Sequence, residues 1–433
     1  FTERRERARA IGLWGAIAGV AIATGPIVGG WLLEHFNWAS IFIAMAPVAA
    51  AAAILVALVV PTSKDPDAGA LDIPGLVLSS ATMALLVFTI IEAPTYGWTA
   101  GRSVAGFAAS AVLLAAFIVR ERRAAYPMLD VRLFRNMRFS AASGAVTVSF
   151  FTLFGFIFLI TQYFQFVRGY GPLSTGVRLL PVAVSVGVGS VAGTQLAVRA
   201  GTKLIVTTGL VAIAVFYGWV AATTSATLSF GVIAAQMVLY GLGLGLTSAP
   251  ATESIMGAIS RAKAGVGSAV NDSTRLIGGT LGVAVIGSVY LSVYGSRLSA
   301  TLPAGVPGRA AAAAHQSIGA AYAVAGRVTA LGHPVLGEAV HHASTNAFLR
   351  GLTIGALVAG GVAAVGAFLA VLFLPAQPAA PAQPAAPAQT PQATELAGPG
   401  ADQAAIPAGA RETPSPAGPA PAPQSAESNR AQP

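Results

Sequence analysis

Gly15-Ala-Ile-Ala-Gly19, running on through Val-Ala-Ile-Ala-Thr24 into Gly25-Pro26-Ile-Val-Gly29-Gly30, decides how this chain is read. It lies inside an apolar run from Ile11 to Leu33. Glycine and proline are poor residues for a helix interior in water, because one is conformationally loose and the other removes a hydrogen bond. In a membrane-spanning helix both are tolerated, since neighbouring helices re-satisfy the freed backbone groups. Gly15/Gly19 and Gly25/Gly29 are pairs of small residues four apart, a spacing that lets another backbone press close. Pro26 frees the carbonyl of Ile22, where a bend is expected.

The composition agrees with a bilayer solvent. Of 433 residues, 55% are hydrophobic and only 9% charged, with a mean hydropathy of +0.71. That balance describes an all-α polytopic membrane protein. The absence of cysteine excludes disulfides, thiolate catalysis and cysteine-ligated metal. About ten apolar runs reach spanning length. They fall near 11–33, 38–60, 73–92, 103–119, 139–163, 176–198, 203–222, 228–250, 266–292 and 348–374.

Charge then orients the runs. With the N-terminal end inside, the short inside loops collect Arg4, Arg5, Arg7, Arg9, Lys64, Arg120, Arg122, Arg123, Arg132, Arg135, Arg138, Arg199, Lys203, Arg261 and Lys263. These are most of the 25 basic residues, as the positive-inside rule requires. The net charge of +9 therefore faces anionic lipid, and no nucleic-acid partner is expected. Trp31, Trp38 and Trp98 fall at outer helix ends, where indole rings anchor a span. The expected location is a bacterial inner membrane, with the N-terminal end and the C-terminal tail cytoplasmic.

The segments between spans carry their own readings. Residues 61–71 form a polar linker, and Asp72-Ile-Pro74 opens the next helix with an aspartate cap and proline in the first turn. Residues 120–138 make a basic connection, expected to include a short surface helix. Residues 293–347 are expected as a long external loop, with an Ala-rich helical part. It holds His315, His333, His341, His342 and Glu338, whose spacing repeats no metal-ligand pattern. After Leu374, proline at 375, 378, 381 and 384 favours polyproline II, and 375–433 are expected to be a disordered tail.

Gly-Pro-x-x-Gly-Gly at a kink resembles the antiporter motif in the fifth helix of fourteen-helix drug:proton antiporters of the major facilitator superfamily. Ala264-Gly-Val-Gly-Ser-Ala-Val-Asn-Asp272-Ser-Thr-Arg275-Leu-Ile-Gly-Gly279-Thr-Leu-Gly282 resembles their thirteenth. The resemblance covers roughly residues 1–375 and implies a partial superfamily fold. Residues 1–60 become the last two helices of the N-terminal half, and 61–138 an inserted helix pair with cytoplasmic linkers. Residues 139–374 become the C-terminal six-helix half. It further implies four earlier helices upstream, and the chain opens at Phe1 in what reads as a loop entered midway. Arg199-Ala-Gly201-Thr-Lys203 resembles a cytoplasmic gating motif, but Val198 stands where its acid is expected.

Ionisable groups inside the bilayer are costly and so informative. Asn271, Asp272 and Arg275 share one helix face at spacings of three and four. Counted from Val266, Asp272 lies about 9 Å into its helix. Two readings stand open: Asp272 carries the coupling proton, or it forms a permanent ion pair with Arg275. Arg275 itself does not deprotonate and reads as structural or gating. Glu253 reads as a headgroup-level residue just past a helix end. For a substrate cavity, Phe154, Gln162, Tyr163 and Gln165 on 139–163 and its continuation combine with Gln236 and Tyr240 on 228–250.

The expected function is proton-coupled efflux of amphipathic or cationic drugs. The alternatives are a dedicated exporter of one metabolite or antibiotic, and a non-transporting truncated membrane scaffold. The expected partners are lipid, protons and a small amphipathic substrate, without an obligate protein partner. No cofactor or metal is expected. No embedded histidine or phosphate loop supports an enzyme or ATP coupling.

Overall fold

The computed structural model describes residues 4–60, 71–259 and 264–375. The linker 61–70, Lys64, Arg261, Lys263 and the tail beyond Pro375 lie outside the described residues, as do the side chains of Arg4, Arg5, Arg7 and Arg9. The described chain is helical throughout. Its elements are α1 (Arg4–His35), α2 (Ala39–Val59), α3 (Ile73–Tyr96), α4 (Gly101–Arg123), α5 (Met137–Gln162), α6 (Pro172–Arg178), α7 (Leu180–Ala200), α8 (Thr202–Thr223), α9 (Phe230–Gly257), α10 (Ala264–Thr301), α11 (Gly308–Gln316), α12 (Ile318–Ala330) and α13 (Pro334–Phe373).

Nine of these helices, among the described residues, are long and apolar enough to cross a membrane. The tenth run, 11–33, sits within α1, a helix of 32 residues that continues through Pro26. The expected runs match helices to within a residue or two at their ends, except 176–198, which a turn at Leu179 divides between α6 and α7; the length of an apolar stretch is set by bilayer thickness and is legible without contacts.

The elements from α5 onward form an interlocked bundle: α5 lies against α10, α7 against α9, and α8 against α9 and α13. Glycine sets the closest approaches. A Cβ on Gly278 or Gly282 of α10 would strike the carbonyl oxygens of Thr147 and Phe151 on α5. A Cβ on Gly189 of α7 would meet the Leu242 carbonyl of α9 at 2.7 Å. Without a hydrophobic force between helices in lipid, such backbone-to-backbone packing is the main source of association.

The α3–α4 hairpin attaches through α3, where the Ser288 hydroxyl of α10 donates to the Ile90 carbonyl at 2.7 Å. Asp72 caps α3 as expected, its Oδ1 accepting from the Gly75 N–H at 3.0 Å. Trp98 is more than an interfacial anchor, because its indole N–H donates to Ser292 Oγ at 3.2 Å.

Two connections differ from expectation. Between α4 and α5 there is no surface helix, only a 3-10 turn, Val131–Arg135. Asp130 and Asn136 each accept a backbone N–H two residues on, which favours turns over helix. The stretch 293–347 holds the expected Ala-rich helix, α11, but is a shorter and more closely packed connection than expected. α10 runs on to Thr301 and α13 starts at Pro334, with α11 and α12 between them. Ala314, Ile318 and Ala321 are fully buried there, and Tyr294 donates its hydroxyl to the Ala314 carbonyl at 2.9 Å. Small apolar residues that look like filler in the sequence therefore form a packed cap.

Candidate functional site

The first candidate feature is the seam between α1 and the consecutive helices α6 and α7. A Cβ on Gly19 would meet the Ala183 carbonyl at 2.8 Å and the Gly187 nitrogen at 3.0 Å. A Cβ on Gly30 would meet the Leu173 backbone at 2.7 Å, and one on Gly176 would strike the Pro26 carbonyl. Glu34 closes the far end, its Oε1 accepting from the Leu173 N–H at 3.1 Å. The contact line thus runs through 19, 26 and 30. Gly25 and Gly29, read in the sequence as a pressing pair, have nothing within 4 Å of a built Cβ. They lie one residue, and so about 100°, off the contact line. Gly15 lies on α1, and its surroundings fall outside the described side chains.

The second feature joins α9, α10 and α5. Thr252 Oγ1 donates to Asn271 Oδ1 at 3.1 Å, and Arg275 Nη2 donates to Thr252 Oγ1 at 3.1 Å. The Arg275 guanidinium lies 4.9 Å from the centre of the Phe150 ring. A hydroxyl on α9 thus ties together two of the three predicted residues, while Asp272 occupies the exposed side of α10. Sequence reasoning missed Thr252. Its signal was present: Thr252 and Glu253 are polar residues that follow Pro250 inside an apolar helix. Glu253 is likewise corrected. It lies within α9, which continues to Gly257, and is only 6% exposed.

The six predicted cavity residues do not converge. Tyr163, Gln236 and Tyr240 are buried inside the bundle. Tyr163 donates to the Ser225 carbonyl at 2.8 Å, Gln236 to Thr223 Oγ1 at 2.9 Å, and Tyr240 meets Thr152 Oγ1 at 3.2 Å. Tyr240 also packs on Phe156 and Phe216, with ring centres 5.1 Å and 4.7 Å away. Gln162 donates back to its own helix at the Phe158 carbonyl. Phe154 and Gln165 are on the exposed side of α5 and its π-helical extension, Tyr163–Val167.

The cavity beside Tyr163 and Gln236, between α5, α8, α9 and α13, has about 50 Å³ of free volume. A drug-sized ligand needs roughly 300 Å³ or more. In this conformation the cavity is too small for such a ligand, and Tyr163, Gln236 and Tyr240 each spend their polar group on a neighbour within the bundle. An aromatic row with a different geometry is open. Phe150 lies over Arg275 and Phe154 over Gly279, where a Cβ would come within 2.9 Å of the ring. A Cβ on Gly287 would lie 3.5 Å from the Phe158 ring. Because α5 and α10 run parallel, the row follows α10 turn by turn away from Asp272.

These features can be set beside known proteins. The family pattern described as Major Facilitator Superfamily matches residues 1–283. The multidrug efflux pump LfrA of Mycolicibacterium smegmatis is 35% identical over 325 residues, which are 75% of this chain and 64% of that protein. The multidrug resistance protein Stp of Mycobacterium tuberculosis is 34% identical over 307 residues, 71% of this chain and 57% of that one. The tetracenomycin C resistance and export protein of Streptomyces glaucescens is 32% identical over 376 residues, 85% and 69% of the two chains. The chain therefore spans less than two thirds of the length of the first two relatives. With a match over most of its length, long apolar helices and a glycine-packed seam, this chain belongs to the Major Facilitator Superfamily.

Proposed function

We propose that this chain is the greater part of a proton-coupled exporter of amphipathic or cationic compounds in a bacterial inner membrane. The observation that carries the reading is Asp272 on the exposed side of α10, beside a guanidinium held by Thr252 and followed by the Phe150–Phe154–Phe158 row. Asp272 lies about 12 Å from the start of α10, deep enough for hydrocarbon to surround it. A carboxylate there is costly and is favoured where it has a task. Aromatic faces attract organic cations, and the row offers them in a line beginning at that acid.

In this mechanism Asp272 takes a proton when its side of the membrane is acidic and releases it when the helices shift. The loss of its charge weakens its hold on a cationic substrate. Arg275 stays charged and sets the field that Asp272 feels, while Asn271 and Thr252 fix its direction. The Gly19–Gly30 contact line lets α1 slide on α7 with little side-chain obstruction. The concentration of arginine and lysine in alternate loops supports a cytoplasmic N-terminal end.

The test is Asp272→Asn in the full-length exporter. Export of a fluorescent cation from energised cells falls at least tenfold while membrane abundance is unchanged. Undiminished export removes Asp272 from the mechanism. A narrower reading, a dedicated antibiotic exporter, is favoured by the name of the tetracenomycin relative, and a substrate panel separates the two.

A further inference from the structure

The open end of the α3–α4 hairpin holds a cluster that the export reading does not use. Asp72 and Glu121 are buried, at 8% and 3% exposure. Each carboxylate spends one oxygen on a visible partner. Asp72 Oδ1 accepts from the Gly75 N–H and receives Arg120 Nη2 at 3.0 Å. Glu121 Oε2 accepts from the Leu129 N–H at 2.9 Å. The other two oxygens, Asp72 Oδ2 and Glu121 Oε1, are fully buried and accept no hydrogen bond.

Those two oxygens converge. A Cβ built on Gly75 would lie 2.5 Å from Glu121 Oε1 and 2.8 Å from Asp72 Oδ2. The missing side chain of Gly75 thus leaves a cradle with one bare carboxylate oxygen on either side. A buried acceptor without a donor costs about 1–3 kcal/mol, and more when charged. Two facing anionic oxygens add repulsion to that cost. Among the described residues Arg120 alone forms an ion pair with either carboxylate, which leaves the ionised pair one positive charge short of neutral there.

We propose that Asp72 Oδ2 and Glu121 Oε1 together hold one hard monovalent cation, a proton or a sodium ion, in the Gly75 cradle. Either species supplies the missing charge and satisfies both oxygens at once. Hard cations prefer oxygen ligands, and a proton between two carboxylates makes a short, charge-assisted hydrogen bond. The site is independent of Asp272 and of export. The charged linker residues Lys64, Asp65 and Asp67 lie outside the described residues. Asp130 accepts from the Arg132 N–H, Arg122, Arg123, Arg132 and Arg135 are exposed, and α10 meets α3 at Ser288, away from Asp272 and Arg275.

The test uses the purified full chain in detergent. Its melting temperature is compared in sodium chloride and choline chloride at equal ionic strength and pH. Infrared spectra at neutral pH are searched for a protonated carboxyl band. A sodium-dependent rise in melting temperature that Glu121→Gln and Asp72→Asn abolish identifies sodium. No sodium effect, with an acid band that the same variants remove, identifies a proton. Gly75→Ala fills the cradle and abolishes whichever response is present. Wild-type protein with neither response overturns the proposal even where a variant fails to fold. Asp272→Asn keeps the response, so failure of the export reading leaves this result standing.

Discussion

A single methyl group separates the glycines of α1 into two kinds. Gly19→Ala pushes a Cβ to 2.8 Å from the Ala183 carbonyl, and backbone cannot rotate away as a side chain can. The expected loss is about 1–3 kcal/mol, seen as a lower melting temperature of the purified chain. Gly25→Ala enters open space within a helix and is expected to be neutral or to stabilise by up to about 1 kcal/mol. Equal effects for both would contradict the described seam. Inside the bundle, Tyr217 donates to the Thr152 carbonyl at 2.6 Å with both groups buried. Tyr217→Phe is expected to cost about 1–3 kcal/mol by the same measurement. The sequence revealed that α1 has a close partner, because small residues at helical spacing announce one. It did not reveal which face meets that partner: the phase of a glycine stripe is fixed by the neighbouring helix, and one residue is a rotation of about 100°. The hydroxyl partners of Tyr240 and Gln236 were hidden for a related reason, since a polar group in an apolar helix looks alike whether it faces a cavity or a neighbour's hydroxyl.

Paired elements carry the next set of expectations. The α3–α4 hairpin depends on Arg120 reaching across to Asp72, whose side chain is 1% exposed. Removing one partner of a fully buried pair costs about 3–5 kcal/mol, but Arg120 is 37% exposed and water screens the loss. Arg120→Ala is therefore expected to cost about 1–3 kcal/mol, against less than about 0.5 kcal/mol for the exposed Arg122→Ala. Thermal unfolding of both variants decides between them. Beyond the end of α5, Arg168 donates to the Tyr170 hydroxyl at 3.3 Å, and this holds the Tyr170 phenol below the ordinary tyrosine range. Arg178, 3.9 Å from the centre of that ring, acts in the same direction. Since the folded chain releases this proton more readily than the unfolded one, ionisation adds stability as pH rises through the folded value toward 10. In an ultraviolet titration, the earliest tyrosinate absorbance is expected to vanish in Tyr170→Phe. At this scale the long spans were legible from length alone, and Asp72 as a cap from its place before Pro74. The α11–α12 cap was not, because alanine and glycine show no contrast between buried and exposed faces.

At the scale of the molecule, the described residues hold nine helices long and apolar enough to span, and the basic loops between them predict two surfaces. Ala125, just past the C-terminus of α4, and Ala300, at the C-terminal end of α10, are both exposed, and the assigned orientation puts them on opposite sides of the membrane. The chain has no cysteine, so Ala125→Cys and Ala300→Cys each report a single site. An impermeant maleimide on intact cells is expected to label position 300 and spare position 125; the reverse would invert the assigned orientation. The polytopic plan was readable because bilayer thickness and charge asymmetry act on composition, whereas the joining of Asn271, Arg275 and Thr252 needed the packing of two distant helices. The helices also differ in how much they need one another. α2 buries none of its residues, while α9 is lined with buried Gln236, Thr247, Thr252 and Glu253. The described helices thus offer α2 almost nothing to bury itself against. α9 stays ill at ease until α8 and α10 supply acceptors and donors, which makes its docking the step where faulty copies are exposed to membrane quality control.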